Sequence, residues 1–266
     1  MTRPSDAPIG MFDSGVGGLS VLSEVRRELP FEDLLYVADS AYAPYGDKAA
    51  SDIERRALVV SDFLIGRGAK ALVVACNTAT GVAVAALRSR YAVPIIGIEP
   101  AIKPAVALTT SGVVGVLATS QTLKSQKFER LVETVRGSAT ILTQSCPGLV
   151  ELIEQGTMSS GDTRERVREC VTPLLIKGAD TLVLGCTHYP FVADVIRSIV
   201  GPGVQIVDPA RAVAKEVRRR LEEHDLQASR ARHGRVLFYT SGSAGRFRQF
   251  AERVGFHQVE VLDFTS

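Results

Sequence analysis

The sequence has no apolar run long enough to span a bilayer, and its first eight residues are polar and lack the apolar core of a signal peptide. Its 31 lysines and arginines nearly balance 29 aspartates and glutamates, which leaves a net charge of only +2. Nothing in that balance favours a nucleic acid or a membrane as partner. We therefore expect a cytoplasmic protein that needs neither for its activity.

Cysteine is scarce, and its spacing does not suggest a metal site. The four cysteines contain no Cys-x-x-Cys pair, and only Cys186 has a histidine, His188, close by in the sequence. A structural zinc site needs more ligands than these two. We expect no bound metal and free thiols, as is usual in a reducing compartment.

A phosphate-binding loop is also lacking. A glycine-rich turn, Ser14–Gly18, follows the predicted strand 8–13 and precedes a helical pattern. It has neither the Gly-x-Gly-x-x-Gly spacing of a dinucleotide site nor a following Gly-Lys-Ser/Thr. Asp13 ends the strand, where a carboxylate would repel phosphate but suit an ammonium group or act as a base. Alternatively, the glycines only allow a tight turn and Asp13 caps the helix.

The chain does contain two closely similar stretches, 68–78 and 178–188. Each is a short, β-branched apolar run that ends in a cysteine followed by small polar residues, Cys-Asn-Thr in one and Cys-Thr-His in the other. Such a run predicts a buried strand, and the polar residues predict the turn into a helix. Cys76 and Cys186 are thereby placed at the carboxyl ends of parallel strands, where open α/β sheets bind ligands.

The remaining pattern alternates strands with helices and restarts after residue 98, which predicts two α/β halves of common design. Both would be doubly wound with mainly parallel sheets, and a cleft would lie between them. Ser51–Glu54 resembles a capping box that starts a helix. The other predicted elements are strands 34–38, 94–98, 113–120, 139–143, 204–207 and 235–240, and helices 80–91, 121–136, 162–177, 209–223 and 243–254.

Two thiols in one cleft would allow three chemistries. A disulfide has little support, because each thiol belongs to its own half. A cysteine nucleophile with a histidine base could use Cys186 and His188, but it leaves Cys76 without a role. Proton transfer by two bases at one carbon uses both thiols, with the sulfurs about 7 Å apart.

Proton transfer requires an ionised thiol. An ordinary cysteine pKa of about 8.5 leaves only a small thiolate fraction at neutral pH. The start of a helix directly after each cysteine would favour the thiolate. Asp13 in the first half and His188 in the second would act as polar neighbours.

At these residues the sequence closely resembles the bacterial glutamate racemases, which are cofactor-independent and supply D-glutamate for peptidoglycan. Aspartate racemases share the two-cysteine plan but usually differ around the opening loop and the second cysteine. The matching segments are Phe-Asp-Ser-Gly-Val-Gly-Gly-Leu at 12–19, Pro-Tyr-Gly at 44–46, Ala-Cys-Asn-Thr at 75–78 and Gly-Cys-Thr-His-Tyr-Pro at 185–190.

The resemblance implies a role for each matching residue. Cys76 and Cys186 would be the acid/base pair, assisted by Asp13 and His188 respectively. The segment 146–154 resembles the family stretch that carries a further acid, which on its spacing is Glu154 rather than Glu151. The residues that would bind substrate are Asp13, Ser14, Tyr45, Gly46, Asn77, Thr78, Thr187 and His188.

The resemblance also implies how the domains are composed. The first α/β domain would contain residues 1–98 and be completed by the C-terminal segment 210–266, and the second would contain residues 99–209. No cofactor is implied, and the expected partner is the small substrate glutamate. A homodimer is one assembly that the sequence allows.

Overall fold

The computed structural model describes residues 4–229, 231–257 and 259–264, and these fall into two compact units. One unit takes its described residues from 1–98 and 210–266, and the other from 99–209. Each unit has its own sheet, and all strand pairs given by the described residues are parallel. The predicted fold class, two α/β units with parallel sheets, is confirmed.

The first unit contains a six-stranded sheet and the second a four-stranded sheet. In chain order the strands are β1 Ile9–Asp13, β2 Leu34–Ala38, β3 Ala71–Val74, β4 Ile95–Gly97, β5 Val113–Ala118, β6 Thr140–Ser145, β7 Thr181–Gly185, β8 Gln205–Val207, β9 Val236–Thr240 and β10 Val261–Asp263. The larger sheet has the order β10-β9-β2-β1-β3-β4, and the smaller has β6-β5-β7-β8.

The strand orders confirm the repeat that the sequence predicts. The order β2-β1-β3-β4 in the first unit is reproduced by β6-β5-β7-β8 in the second. In this correspondence β3, which precedes Cys76, matches β7, which precedes Cys186. The two cysteines therefore occupy equivalent positions in two similar sheets.

The helices are α1 Leu19–Glu28, α2 Ala50–Gly66, α3 Asn77–Arg90, α4 Ile102–Leu108, α5 Ser120–Lys124, α6 Gln126–Glu133, α7 Leu149–Glu154, α8 Gly161–Ile176, α9 Ala193–Val200, α10 Ala210–Glu223 and α11 Ala244–Arg253. No helix among the described residues is long and apolar enough to cross a membrane.

Three predicted helix boundaries were wrong. Helix α2 begins at Ala50 after Ala49, and no side chain caps it, so the capping box is not formed. The predicted helix 121–136 is divided at Ser125, whose hydroxyl caps α6. Helix α3 begins at Asn77, three residues before the predicted start, because Cys76 itself is the N-cap.

The C-terminal segment belongs to the sheet of the first unit. Strand β9 pairs along the whole of β2, and helix α10 packs against α1. Strands β1, β2 and β3 are completely buried, as expected for parallel strands with helices on both faces. The buried strands place the residues that follow them at one edge of the sheet, where Asp13, Asp39 and Cys76 lie.

Candidate active site

Cys76 lies at the junction between a buried strand and a long helix. It follows β3, and its sulfur accepts a hydrogen bond from the backbone N–H of Ala79 at 3.4 Å in the first turn of α3. The unsatisfied N–H groups and the dipole at a helix N-terminus favour a thiolate over a thiol. The Cys76 sulfur, which follows β3, is therefore buried at a helix N-terminus that stabilises its charged form.

The glycine-rich loop brings Asp13 and Ser14 to the same place. The Ser14 hydroxyl donates to Asp13 Oδ1 at 2.9 Å, and its oxygen lies 3.9 Å from the Cys76 sulfur. Asp13 is not the N-cap of α1, which is Gly18. Gly18 allows close packing, since a Cβ there would lie 2.8 Å from the Asp13 Cβ.

Asn77 and Thr78 form the first turn of α3, and both side chains are buried. Neither the amide nitrogen nor the amide oxygen of Asn77 has a hydrogen-bond partner among the described residues. A buried polar group without a partner costs about 1–3 kcal/mol. Asn77 therefore has the properties of a group that pairs with a bound ligand.

Tyr45 and Gly46 lie in a short 3₁₀ helix, Tyr45–Asp47, that follows a cis peptide bond before Pro44. The Tyr45 hydroxyl donates to Asp39 Oδ2 at 2.6 Å. Burial and the nearby charges of Asp39 and Cys76 raise the pKa of Tyr45 far above its ordinary value. The phenol of Tyr45 therefore stays neutral, and Asp39 holds its proton.

Cys186 follows β7 directly, but its surroundings differ from those of Cys76. The next element is a 3₁₀ helix, Tyr189–Val192, and α9 begins only at Ala193. The helix N-terminus predicted directly after this cysteine is therefore absent. In its place, His188 Nδ1 lies 3.7 Å from the Cys186 sulfur.

His188 connects this sulfur to a carboxylate. Its Nε2 lies 2.7 Å from Glu154 Oε1, so the acid beside the imidazole is Glu154 rather than Glu151. Burial alone would lower the pKa of His188, but its contacts with Cys186 and Glu154 outweigh burial and raise the pKa well above 6.5. Contacts with the Cys186 sulfur on one side and the Glu154 carboxylate on the other therefore favour the protonated imidazole of His188.

Thr187 stands between Cys186 and His188 in the sequence, and its side chain is also buried.

The other cysteines of the chain, Cys146 and Cys170, are close to each other in the same unit. Contact with Cys170 and burial raise the pKa of Cys146, which therefore remains a neutral thiol. Burial also raises the pKa of Tyr189, next to Cys186. Of these side chains, His188 alone offers Cys186 a positive charge.

The structure thus groups the predicted site residues by unit. Those in the first unit are Asp13, Ser14, Tyr45, Cys76 and the Asn77–Thr78 turn. Those in the second unit are Glu154, Cys186, Thr187 and His188. Among the described residues no group of three or more His, Cys, Asp or Glu side chains is placed to hold a metal ion.

Sequence reasoning missed Asp39 and Arg56, which form a buried ion pair behind Tyr45. Asp39 comes directly after β2, and Asp13 is the last residue of β1, so the two aspartates occupy similar positions and that parallel could have identified Asp39. Arg56 lies on the second turn of α2 and carries no comparable sequence signal.

The chain matches the family model described as Asp/Glu/hydantoin racemase over residues 9–217. It is 56% identical over 240 residues to the glutamate racemase of Methylococcus capsulatus, a match that covers 90% of this chain and 89% of the relative. The 310 curated proteins that match it include many further glutamate racemases.

Solved structures give the same result for the fold. The glutamate racemase isoform RacE1 of Bacillus anthracis superimposes with a TM-score of 0.90 at 33% identity and 98% coverage of both chains. The glutamate racemase of Francisella tularensis, in complex with D-glutamate, superimposes with a TM-score of 0.86 at 29% identity and 98% coverage of both chains. The chain therefore belongs to the Asp/Glu/hydantoin racemase family and, within it, to the glutamate racemases.

Proposed function

We propose that the protein interconverts L- and D-glutamate with Cys76 and Cys186 as the two acid/base groups at the α-carbon. The observation that carries this proposal is that each thiol ends the equivalent strand of a repeated sheet and has its own polar partners. The mechanism requires the two sulfurs to approach one α-carbon from opposite faces, at a separation of about 7 Å.

In this mechanism one sulfur begins as a thiolate and the other as a thiol. The thiolate takes the α-proton, and the electron pair of the broken C–H bond remains on the carbon and spreads into the α-carboxylate. The opposite thiol then donates its proton to the other face and becomes the thiolate. The reverse reaction exchanges the two roles, so no oxidant, reductant or cofactor is consumed.

Each thiol would be assisted in a different way. The N-terminus of α3 favours the thiolate of Cys76, and the Ser14 oxygen, oriented by the hydrogen bond that its hydroxyl donates to Asp13, can accept the proton of the thiol form. For Cys186, the protonated imidazole of His188 would place a positive charge beside the sulfur, and Glu154 keeps that imidazole protonated.

Substrate binding would use the polar side chains around the two thiols. The amide of Asn77, which has no partner among the described residues, would bind a carboxylate of glutamate. The carboxylate of Asp13 suits the substrate ammonium group. Further contacts would come from Ser14, Tyr45, Gly46, Thr78, Thr187 and His188.

The activity is tested by incubating the purified protein with each enantiomer of glutamate, and separately of aspartate, in deuterated water. We expect chiral chromatography to show both glutamate enantiomers, and mass spectrometry to show deuterium at the α-carbon, without added pyridoxal phosphate. Preference for aspartate would overturn the substrate assignment, and no exchange with either amino acid would overturn the racemase.

The two-thiol mechanism is tested with Cys76→Ala and Cys186→Ala. Each change should lower the racemisation rate by about 10²–10⁴-fold, the usual contribution of a positioned acid or base. The remaining thiol can still remove a proton and return deuterium to the same face. We therefore expect each variant to exchange the α-hydrogen of one enantiomer with retention, and the two variants to act on opposite enantiomers.

The control for these variants is Cys170→Ala, which removes a buried thiol that the mechanism does not use. It should racemise glutamate at a rate close to that of the wild type. Retention of racemisation by Cys76→Ala would contradict the mechanism and would favour chemistry that needs Cys186 and His188 alone.

We further propose that the protein supplies D-glutamate for peptidoglycan in the cytoplasm. The gene should then restore growth of a bacterial strain that requires added D-glutamate, and the Cys76→Ala gene should not. Light scattering of the purified protein will test for the homodimer that the sequence allows.

A further inference from the structure

Asp39 is a completely buried carboxylate at the end of β2, beside the loop that carries Tyr45 and Gly46. It accepts hydrogen bonds from two hydroxyl groups, Tyr45 at 2.6 Å and Ser241 at 2.8 Å. Ser241 directly follows β9, so its contact comes from the C-terminal segment. Asp39 thus joins two parts of the first unit that are distant in sequence.

Arg56 neutralises this carboxylate. Its guanidinium reaches in from α2 and donates through Nε to Asp39 Oδ2 at 2.9 Å and through a terminal nitrogen to Oδ1 at 2.8 Å. The Arg56 side chain is only 3% exposed, and its guanidinium carbon lies 3.8 Å from the centre of the Tyr42 ring. A two-point contact of this kind fixes geometry as well as charge.

The phenol of Tyr45 is therefore held in place by an ion pair. Its proton is committed to Asp39, and its ring packs in the same apolar cluster as Cys76. Tyr45 and Gly46 are among the residues that the proposed function assigns to substrate binding.

We propose that Arg56, Asp39 and Ser241, together the Arg56 clamp, are positioning residues that hold the Tyr45–Gly46 turn in its substrate-binding geometry. The inference rests on the proposed function, because that function gives the turn its substrate. The clamp does not touch the reacting atoms and acts through Tyr45. Loss of the clamp would free the Tyr45 ring and the adjoining backbone, and glutamate would bind more weakly.

The first unit contains a second buried ion pair that serves as a matched control. Glu32 and Lys70 pair at 2.5 Å, with side chains 3% and 2% exposed. Glu32 lies before β2 and Lys70 before β3, so this pair is at the opposite edge of the same sheet from Asp39 and Cys76. It shares the burial and charge of the Arg56 clamp, and its further partners include the backbone of Ser5 and of Ala228.

The test compares two double variants, Asp39→Leu/Arg56→Met and Glu32→Leu/Lys70→Met. Removing both members of a buried ion pair avoids leaving one buried charge without its partner, so both proteins should fold. We expect the first to raise KM for both glutamate enantiomers by at least tenfold, with a smaller change in kcat. The second should keep both constants within about threefold of the wild type.

Two single changes keep the proposal testable if the first double variant does not fold. Ser241→Ala removes one hydroxyl from the clamp, and Tyr45→Phe removes the hydroxyl that the clamp holds. We expect each to raise KM severalfold, and Ser241→Ala to have little further effect in the Tyr45→Phe background. If the effects of Ser241→Ala and Tyr45→Phe on KM multiply in the combined variant, the two hydroxyls act independently, and the clamp is overturned.

The outcomes also separate this inference from the proposed function. Equal KM and kcat for the two double variants, with a wild type that racemises glutamate, would overturn the Arg56 clamp alone. A wild type that racemises neither glutamate nor aspartate would overturn the proposed function and the clamp with it.

Discussion

At the scale of single residues, the clearest difference between the two halves is the set of groups that surround each thiol. Cys76 has a helix N-terminus and the Ser14 hydroxyl, whereas Cys186 has His188 and, through it, Glu154. Only the second arrangement includes an imidazole, whose charge depends on pH. The two directions of the reaction should therefore differ in pH dependence.

Glu154→Gln should show this dependence. Replacing the carboxylate by an amide removes one of the two contacts that raise the pKa of His188, so that pKa should fall. We expect the alkaline limb of the kcat/KM profile to move to lower pH for the direction in which Cys186 is the base. Kinetics of both enantiomers across the pH range will measure it.

The same group affects stability, with a defined sign. The pKa of His188 is raised above 6.5 on folding, so the stability contributed by its protonated form is fully present below pH 6.5 and is lost as pH rises through the folded value. Glu154→Gln should lower the free energy of unfolding by about 2 kcal/mol at pH 6 and flatten its decline at higher pH. Urea unfolding at a series of pH values checks both.

Glu151→Gln is the matched control, since Glu151 lies on the same short helix one turn earlier, whereas the carboxylate beside His188 Nε2 is that of Glu154. It should leave the alkaline limb unchanged. A profile that moves equally in both variants would mean that the helix, rather than the contact with His188, sets the pH dependence.

Residues at strand ends could be predicted because the strand pattern and the residue that follows are both visible in the sequence. Asp13, Cys76 and Cys186 were placed in this way. Asp39 and Arg56 were not, because a pairing between one strand end and the next helix depends on three-dimensional packing.

At the scale of elements, the glycine-rich loop between β1 and α1 depends on close packing at Gly18. A Cβ at this position would lie 2.7 Å from the Tyr36 hydroxyl and 2.8 Å from the Asp13 Cβ. Gly18→Ala should therefore displace Asp13 or Tyr36 and cost about 1–3 kcal/mol, as overpacking usually does. Urea unfolding should show the loss of stability, and kinetics should show lower kcat/KM.

Gly245→Ala is the control for this change. Gly245 lies in the first turn of α11, and the nearest atom to a Cβ there is the Ser243 oxygen at 3.8 Å. Alanine should stabilise this helix by about 0.5–1 kcal/mol and leave kinetics unchanged. Similar kinetic defects in both variants would show that Gly18 has no special role beside Asp13.

Most strands were predictable because short β-branched runs between turn signals are distinctive. The start of α3 was missed because its N-cap is a cysteine, and the usual caps are Ser, Thr, Asp and Asn. Helix α4 and strand β10 were also missed. They have seven and three residues, too few for periodicity to identify.

At the scale of the whole molecule, the repeat was visible in the strand pattern, whereas only the family resemblance indicated which domain the C-terminal segment completes. Periodicity predicts that residues 210–266 form helices and strands, but it does not say which sheet they join. The structure places β9 beside β2 and α10 against α1, so the first unit is built from both ends of the chain. The second unit is continuous in sequence.

This difference predicts how fragments of the chain will fold. Residues 99–209 contain a complete four-stranded sheet and their own apolar cluster, so we expect this fragment alone to unfold cooperatively in urea. Residues 1–98 alone would leave β2 without β9 and the apolar face of α1 without α10. An exposed, fully apolar strand edge favours aggregation, so this fragment should not fold by itself. Mixing it with residues 210–266 should restore circular dichroism and a cooperative transition, whereas a cooperative transition of 1–98 alone would contradict the proposed dependence on the C-terminal segment.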